Sequence, residues 1–140
     1  MRRVKSKAWV EEIETHSTPD GYGITLDCRT PEMKPFSITM RCNPDASEFS
    51  TRGRAQRLVC KMLDAVGVTG TDWAQAQYDA KTIAARVRHG FFWFLLDVNG
   101  QDIWLRDVKP CEPFEVFDKA QDERDAIAAL EQMMEARDVS

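Results

Sequence analysis

Two tryptophans and three arginines fall close together between residues 86 and 106: Arg86, Arg88, Trp93, Trp104 and Arg106. Flat aromatic rings stack nucleobases, each contact contributing about 1–3 kcal/mol, while Arg and Lys follow the phosphates of a single strand. These residue types therefore point to single-stranded nucleic acid, provided the fold turns them to one side. A second basic set, Arg54, Arg57 and Lys61, falls at three- and four-residue spacing, which lines up one side of a helix. Such a stripe is a solvated face in most proteins, and it is a backbone-tracking surface only if the strand reaches it.

Signs of catalysis are missing. The chain holds no glycine-rich phosphate loop, no Gly-x-Ser-x-Gly elbow and no His-Glu-x-x-His. His16 and His89 lie far apart beside loops and make no relay. Cys28, Cys42, Cys60 and Cys111 are widely spread, with no Cys-x-x-Cys pair, so the spacing of a zinc site or a disulfide framework is absent. Four reduced thiols, several of them in the core, are expected. Asp97 and Asp102 are expected to be cross-strand neighbours, but two carboxylates alone are a weak ligand set for a cation. The expectation is a protein that is not an enzyme and needs no metal or cofactor.

The stretch that must position the tryptophans is residues 82–108. It reads as a three-stranded antiparallel meander. Asn99-Gly100 is a strong hairpin signal, because both central residues of a type I′ turn need positive φ. His89-Gly90 is a weaker turn between the first two strands. Two-residue loops would set Leu96 against Ile103, Leu95 against Trp104, Phe94 against Leu105 and Trp93 against Arg106. They would also set Arg86 against Trp93 and Arg88 against Phe91. Alternation then separates two faces. Ile83, Ala85, Val87, Phe92, Phe94, Leu96, Val98, Ile103 and Leu105 form a core face. Arg86, Arg88, Phe91, Trp93, Leu95, Trp104 and Arg106 form an aromatic and basic one. The competing reading is a second core, its tryptophans covered by a helix.

Upstream, residues 1–7 hold Arg2, Arg3, Lys5 and Lys7 and read as a flexible arm. Residues 8–15 alternate weakly, with Val10 out of phase. Residues 22–28 and 36–42 alternate cleanly and are half-buried strands. Residues 51–66 carry one apolar stripe, Ala55, Leu58, Val59, Met62, Leu63 and Val66, and Gly67 is placed to stop that helix. Thr71-Asp72 opens a short helical turn. Residues 117–136 read as a final helix with a narrow stripe of Ala120, Ile127, Leu130 and Met134. Three strands, a helix and a meander suggest a mainly β, α+β fold. Its barrel, residues 1–113, would resemble an oligonucleotide-binding fold with the helix inserted about 51–66. Residues 114–140 would be an acidic helical tail.

The charge is uneven. Net charge is −4, which alone argues against nucleic acid, yet residues 113–140 carry three Lys and Arg against eight Asp and Glu. The remaining residues are nearly balanced, so the acidity belongs to the tail. No apolar run reaches the roughly 18 residues of a membrane helix, and no hydrophobic segment follows the basic N-terminus as a secretory signal would require. Cytoplasmic residence is the default expectation.

Residues 36–68, FSITMRCNPDASEFSTRGRAQRLVCKMLDAVGV, resemble the central segment of an uncharacterised family of small phage and prophage proteins. Members are regarded as single-stranded-DNA-binding-like and are often encoded beside recombination and replication genes. They run a strand into Asn-Pro and then a helix ending in Ala-x-Gly-Val. Here these are Ile38 to Cys42, Asn43-Pro44, and Leu58 to Val68 with Ala65-Val66-Gly67-Val68. Val108-Lys109-Pro110 is similar too. Ala80-Lys81 departs from the family's Gly-Lys, and Phe91 to Leu96 is more aromatic than its pattern. The resemblance covers about half the chain. It implies a phage origin and an oligonucleotide-binding type of barrel, and it carries over no catalytic residue.

Together these readings predict a non-sequence-specific single-stranded DNA-binding protein using Arg86, Arg88, Trp93, Trp104, Arg106, Arg54, Arg57 and Lys61. The alternative is a phage-encoded inhibitor, anti-CRISPR-like, that blocks a host defence or nucleic-acid-handling complex. A protein partner would then meet the acidic C-terminal helix. Either reading leaves a homodimer open.

Overall fold

The computed structural model describes residues 1–116 and 119–138. Strand β1, Arg2–Thr18, is the spine. Its first half, Arg2 to Trp9, pairs antiparallel with β4, Phe91–Asn99, and its second half, Trp9 to Thr18, pairs with β2, Gly21–Arg29. The expected flexible arm is therefore strand. Val4, Ser6 and Ala8 alternate there with Arg3, Lys5 and Lys7, so one side of the segment can face the core while the other stays in water. A bulge between Val10 and Glu12 accounts for the broken alternation. The extra residue resets the phase, so that Val10 and Ile13 are both buried.

Strand β3, Pro35–Cys42, continues from β2, and β5, Asp102–Pro110, continues from β4. The order is β3-β2-β1-β4-β5, antiparallel throughout. The sheet curls until β3 and β5 approach each other, and helix α1, Thr51–Ala65, lies against both. The result is a five-stranded half-barrel with four helices, an α+β fold like a small oligonucleotide-binding barrel. Its core holds Ile24, Leu26 and Ile38 from one side, Phe92 and Phe94 from the other, and Val59, Met62 and Leu63 from α1. Leu58 is only half-buried at its margin. Ser50 caps α1 through the Gly53 N–H at 3.0 Å. At the other end Gly67, at φ 82°, donates to Asp64 and Val68 donates to Leu63, the paired bonds of a Schellman stop.

Helix α2, Gly70–Ala76, is the expected short turn, entered from Thr69 rather than from Thr71. Helix α3, Ala80–Val87, replaces the expected first strand of the meander. Ile83 and Val87 are buried as expected, but four residues apart they fit a helix as well as a strand. Ala80, Ala84 and Ala85 favour the helix, and the Asp79 carboxylate caps it, accepting from the Lys81 N–H at 3.1 Å and the Thr82 hydroxyl at 2.8 Å. His89, at φ 66°, and Gly90 then turn the chain into β4.

The β4–β5 hairpin differs from expectation in register. Asn99 pairs with Asp102, so Gly100-Gln101 is the loop. Leu96 meets Leu105 and Asp97 meets Trp104. A bulge follows. Leu95 meets Asp107 and Trp93 meets Lys109, leaving Arg106 as the extra residue. Asp97 and Asp102 are thus not partners. As far as the bulge the two-residue shift keeps side chains on their expected faces and changes only their neighbours; beyond it the offset is three residues, and alternation along β5 inverts.

Helix α4, Lys119–Asp138, follows. Ile127, Leu130, Met133 and Met134 are exposed on it; the Ala120 side chain and residues 117 and 118 lie outside the described part. Among the described residues, no helix is long and apolar enough to cross a membrane.

Candidate nucleic-acid interface

Every second residue of β4 faces away from the core: Trp93, Leu95 and Asp97. The same side of β1 carries Arg3, Lys5 and Lys7, paired with Asp97, Leu95 and Trp93 respectively. From β5 come Trp104, Arg106, Asp107 and Lys109. The bulge lets Arg106 and Asp107 both face outward between buried Leu105 and Val108.

Trp93 is the centre of this face. It is half-buried, and the ammonium groups of Lys5 and Lys7 sit 4.9 and 5.2 Å from its ring centroid. Both are cation–π distances. Lys5, Trp93, Leu95, Asp107 and Lys109 line a shallow groove of about 130 Å³. Asp107 is ion-paired with Lys61 of α1 at 2.5 Å, and that hydrogen bond holds its carboxyl below the usual range.

Asp97 is almost buried although it faces outward. Arg106 donates to one carboxylate oxygen at 2.9 Å and Arg3 approaches the other at 3.4 Å. Burial works to raise its pKa, but the hydrogen bonds from Arg106 and Arg3 outweigh it and hold the carboxyl below the usual range.

Trp104 is 49% exposed and borders α1. It belongs to a second groove of about 360 Å³ at the seam between β3 and β5, with Arg41, Ala55 and Leu58. The expected register would have made Trp93 and Trp104 diagonal neighbours. In the observed one they are four residues of strand apart, roughly 13 Å.

The predicted residues therefore divide. Trp93, Trp104 and Arg106 share the outer face, and Lys61 borders it. Arg54 is exposed on α1, and Arg57 pairs with Glu48 at 3.5 Å. Arg86 and Arg88 do not reach the face, because the segment carrying them is helical. Arg86 lines a polar cleft with Asp72 and Asp79, and Arg88 pairs with Glu12 at 3.2 Å. Arg3, Lys5, Lys7 and Lys109 are the residues that sequence reasoning missed. The Arg-Val-Lys-Ser-Lys-Ala alternation signalled the first three, once read as strand.

Elsewhere, burial raises the pKa of the Cys28 and Cys42 thiols, that of Cys42 to about 12. The four cysteines are free. Among the described residues, no group of three or more His, Cys, Asp or Glu could hold a metal ion. The chain matches no family model, no curated protein and no solved structure.

Proposed function

We propose that this protein binds single-stranded nucleic acid, without strong sequence preference, across the outer face of β1, β4 and β5. One observation carries the reading: Trp93 sits among Lys5, Lys7 and Lys109 on an open sheet surface. An aromatic ring ringed by cations matches a base with phosphates on either side. Binding would be electrostatic in large part, which a chain of net charge −4 can sustain because its acidity is concentrated after residue 112. The resemblance at residues 36–68 points the same way, toward a phage protein acting beside recombination or replication in the host cytoplasm.

The test is fluorescence anisotropy with labelled oligo-dT over a salt series. Log affinity should fall linearly with log salt. No binding at 50 mM salt would remove this reading.

A second reading rests on α4. Ile127, Leu130, Met133 and Met134 are exposed on a helix that carries six acidic residues against three basic ones. Such a surface suits an interaction or inhibitor protein that occupies a partner's nucleic-acid site. It gains weight if oligo-dT does not bind.

A further inference from the structure

We propose that Arg3 and Arg106, held apart by Asp97, form a fork that grips one phosphate group between the two tryptophans. The inference rests on the nucleic-acid reading of this face and names a site within it.

A surface carboxylate facing one arginine forms its best pair side by side, with two parallel hydrogen bonds. Asp97 does otherwise. Each of its oxygens takes one arginine, Arg106 through Nη1 and Arg3 through Nε. The carboxylate is 7% exposed while the Arg3 and Arg106 side chains are 56% and 49% exposed. The guanidinium groups therefore lie over the carboxylate from the two flanking strands. Among the described residues neither arginine has another recorded partner. Each guanidinium has five N–H donors, so most of them remain unused, and the cluster keeps one net positive charge. Fixed planar forks with spare donors match the oxygens of a phosphate.

The fold supports this arrangement. Alternation after buried Leu105 turns Arg106 outward, and the bulge there leaves it without a residue opposite on β4. Register pairs Arg3 directly with Asp97, and Asp97 directly with Trp104. The fork thus adjoins Trp104 and lies roughly 13 Å along β4 from Trp93. A phosphate held there would sit on a path running from the Lys5 and Lys7 cluster to Trp104. Asp97 is a positioning residue in this scheme and touches no ligand.

Asp97→Asn separates positioning from simple attraction, because the two predict opposite signs. The variant adds one positive charge to the face. If the charges merely attract phosphate, oligo-dT binds tighter. If Asp97 aims the forks, binding weakens by about tenfold at every salt concentration, the loss expected for one charge-assisted hydrogen bond. Arg106→Lys keeps the charge and removes the fork, so it should weaken binding to a similar extent with an unchanged salt slope. Equal or tighter binding by both variants overturns the fork. Should Asp97→Asn fail to fold, Arg106→Lys decides alone in the same way. Trp93→Ala distinguishes the levels: oligo-dT binding that is lost in Trp93→Ala but intact in Arg106→Lys sinks the fork and leaves the function. If the native protein ignores oligo-dT, titration with inorganic phosphate, read on the arginine Nε–H resonances, decides. Shifts at Arg3 and Arg106 in the native protein, with the Arg3 shift lost in Arg106→Lys, retain a site for free phosphate, and their absence overturns it.

Discussion

The two halves of the half-barrel present opposite outer faces. On β4, β5 and the first half of β1 stand Arg3, Lys5, Lys7, Trp93, Trp104, Arg106 and Lys109. On β2, β3 and β1 beyond its bulge stand Glu12, Glu14, His16, Thr25, Asp27, Ser37, Thr39 and Arg41, with no Trp, Tyr or Phe among them. The second face also satisfies itself. Thr25 and Thr39 share a hydrogen bond at 3.2 Å, Ser37 donates to Asp27 at 2.7 Å, and Arg29 pairs with Glu11 at 2.5 Å. β1 supplies both signs, passing from Arg and Lys to Glu at its bulge. A single long strand thus sets which half of the barrel concentrates lysine and arginine on its outer face. Oligonucleotide-binding barrels use the face of strands 2 and 3; in this chain the aromatic and cationic groups lie on the other side.

Both faces hang on one core, so its loss should erase the comparison and give the largest effect. Phe94→Ala removes a fully buried ring and should cost about 3–5 kcal/mol, read by urea unfolding. An unchanged melting temperature would mean that the inner and outer faces of β4 are interchanged.

Next comes stacking. Trp93→Ala should weaken oligo-dT binding by about 1–3 kcal/mol at any salt concentration, and Trp104→Ala by a similar amount if the strand extends to the seam groove. Thr25→Ala, on the outer face of β2, should leave affinity as it was. A Thr25 effect equal to that of Trp93 would dissolve the distinction between the faces.

Charge should act more gently. Lys5→Ala, Lys7→Ala and Lys109→Ala should each lower the slope of log affinity against log salt, by roughly 0.7 per lost contact on single strands. Glu14→Gln should leave that slope unchanged. Lysines that alter affinity without altering the slope would have a packing role against Trp93 instead.

Acid should loosen the basic face. The Asp97 and Asp107 carboxyls titrate below their ordinary range of about 4. Their contribution to stability is therefore complete above that range and is lost as pH falls through the depressed folded values. Asp107→Asn should flatten part of the stability loss below about pH 4 in thermal melts. An unaltered pH profile would show that the Lys61 pair contributes nothing. The smallest effect expected is that of the tail. Deleting residues 117–140 removes acidic charge without touching a described core residue, and should tighten oligo-dT binding slightly, most at low salt where screening is weak.

Some of this was readable from residues alone. Clean alternation at 22–28 and 36–42 specified two strands, and the 51–66 stripe with Gly67 specified a helix and its stop. Burial of Phe92, Phe94, Leu96 and Leu105 was readable as well, since side-chain parity survives a two-residue slip. Three things were not. Ile83 and Val87 fit either period, and the helix was decided by the Asp79 cap and by packing under the sheet. Residues 2–7 read as an arm because a strand with one polar face shows little hydrophobic signal until a partner, here β4, accepts its backbone. The neighbours of Trp93 were misjudged because hairpin register depends on the loop and on a bulge, and neither leaves a mark in composition. The sequence by itself determined which residues of β2, β3, α1 and β4 face inward and which outward. Only the tertiary structure decided who stands beside whom, because register and curvature are settled by how the whole sheet closes around its core.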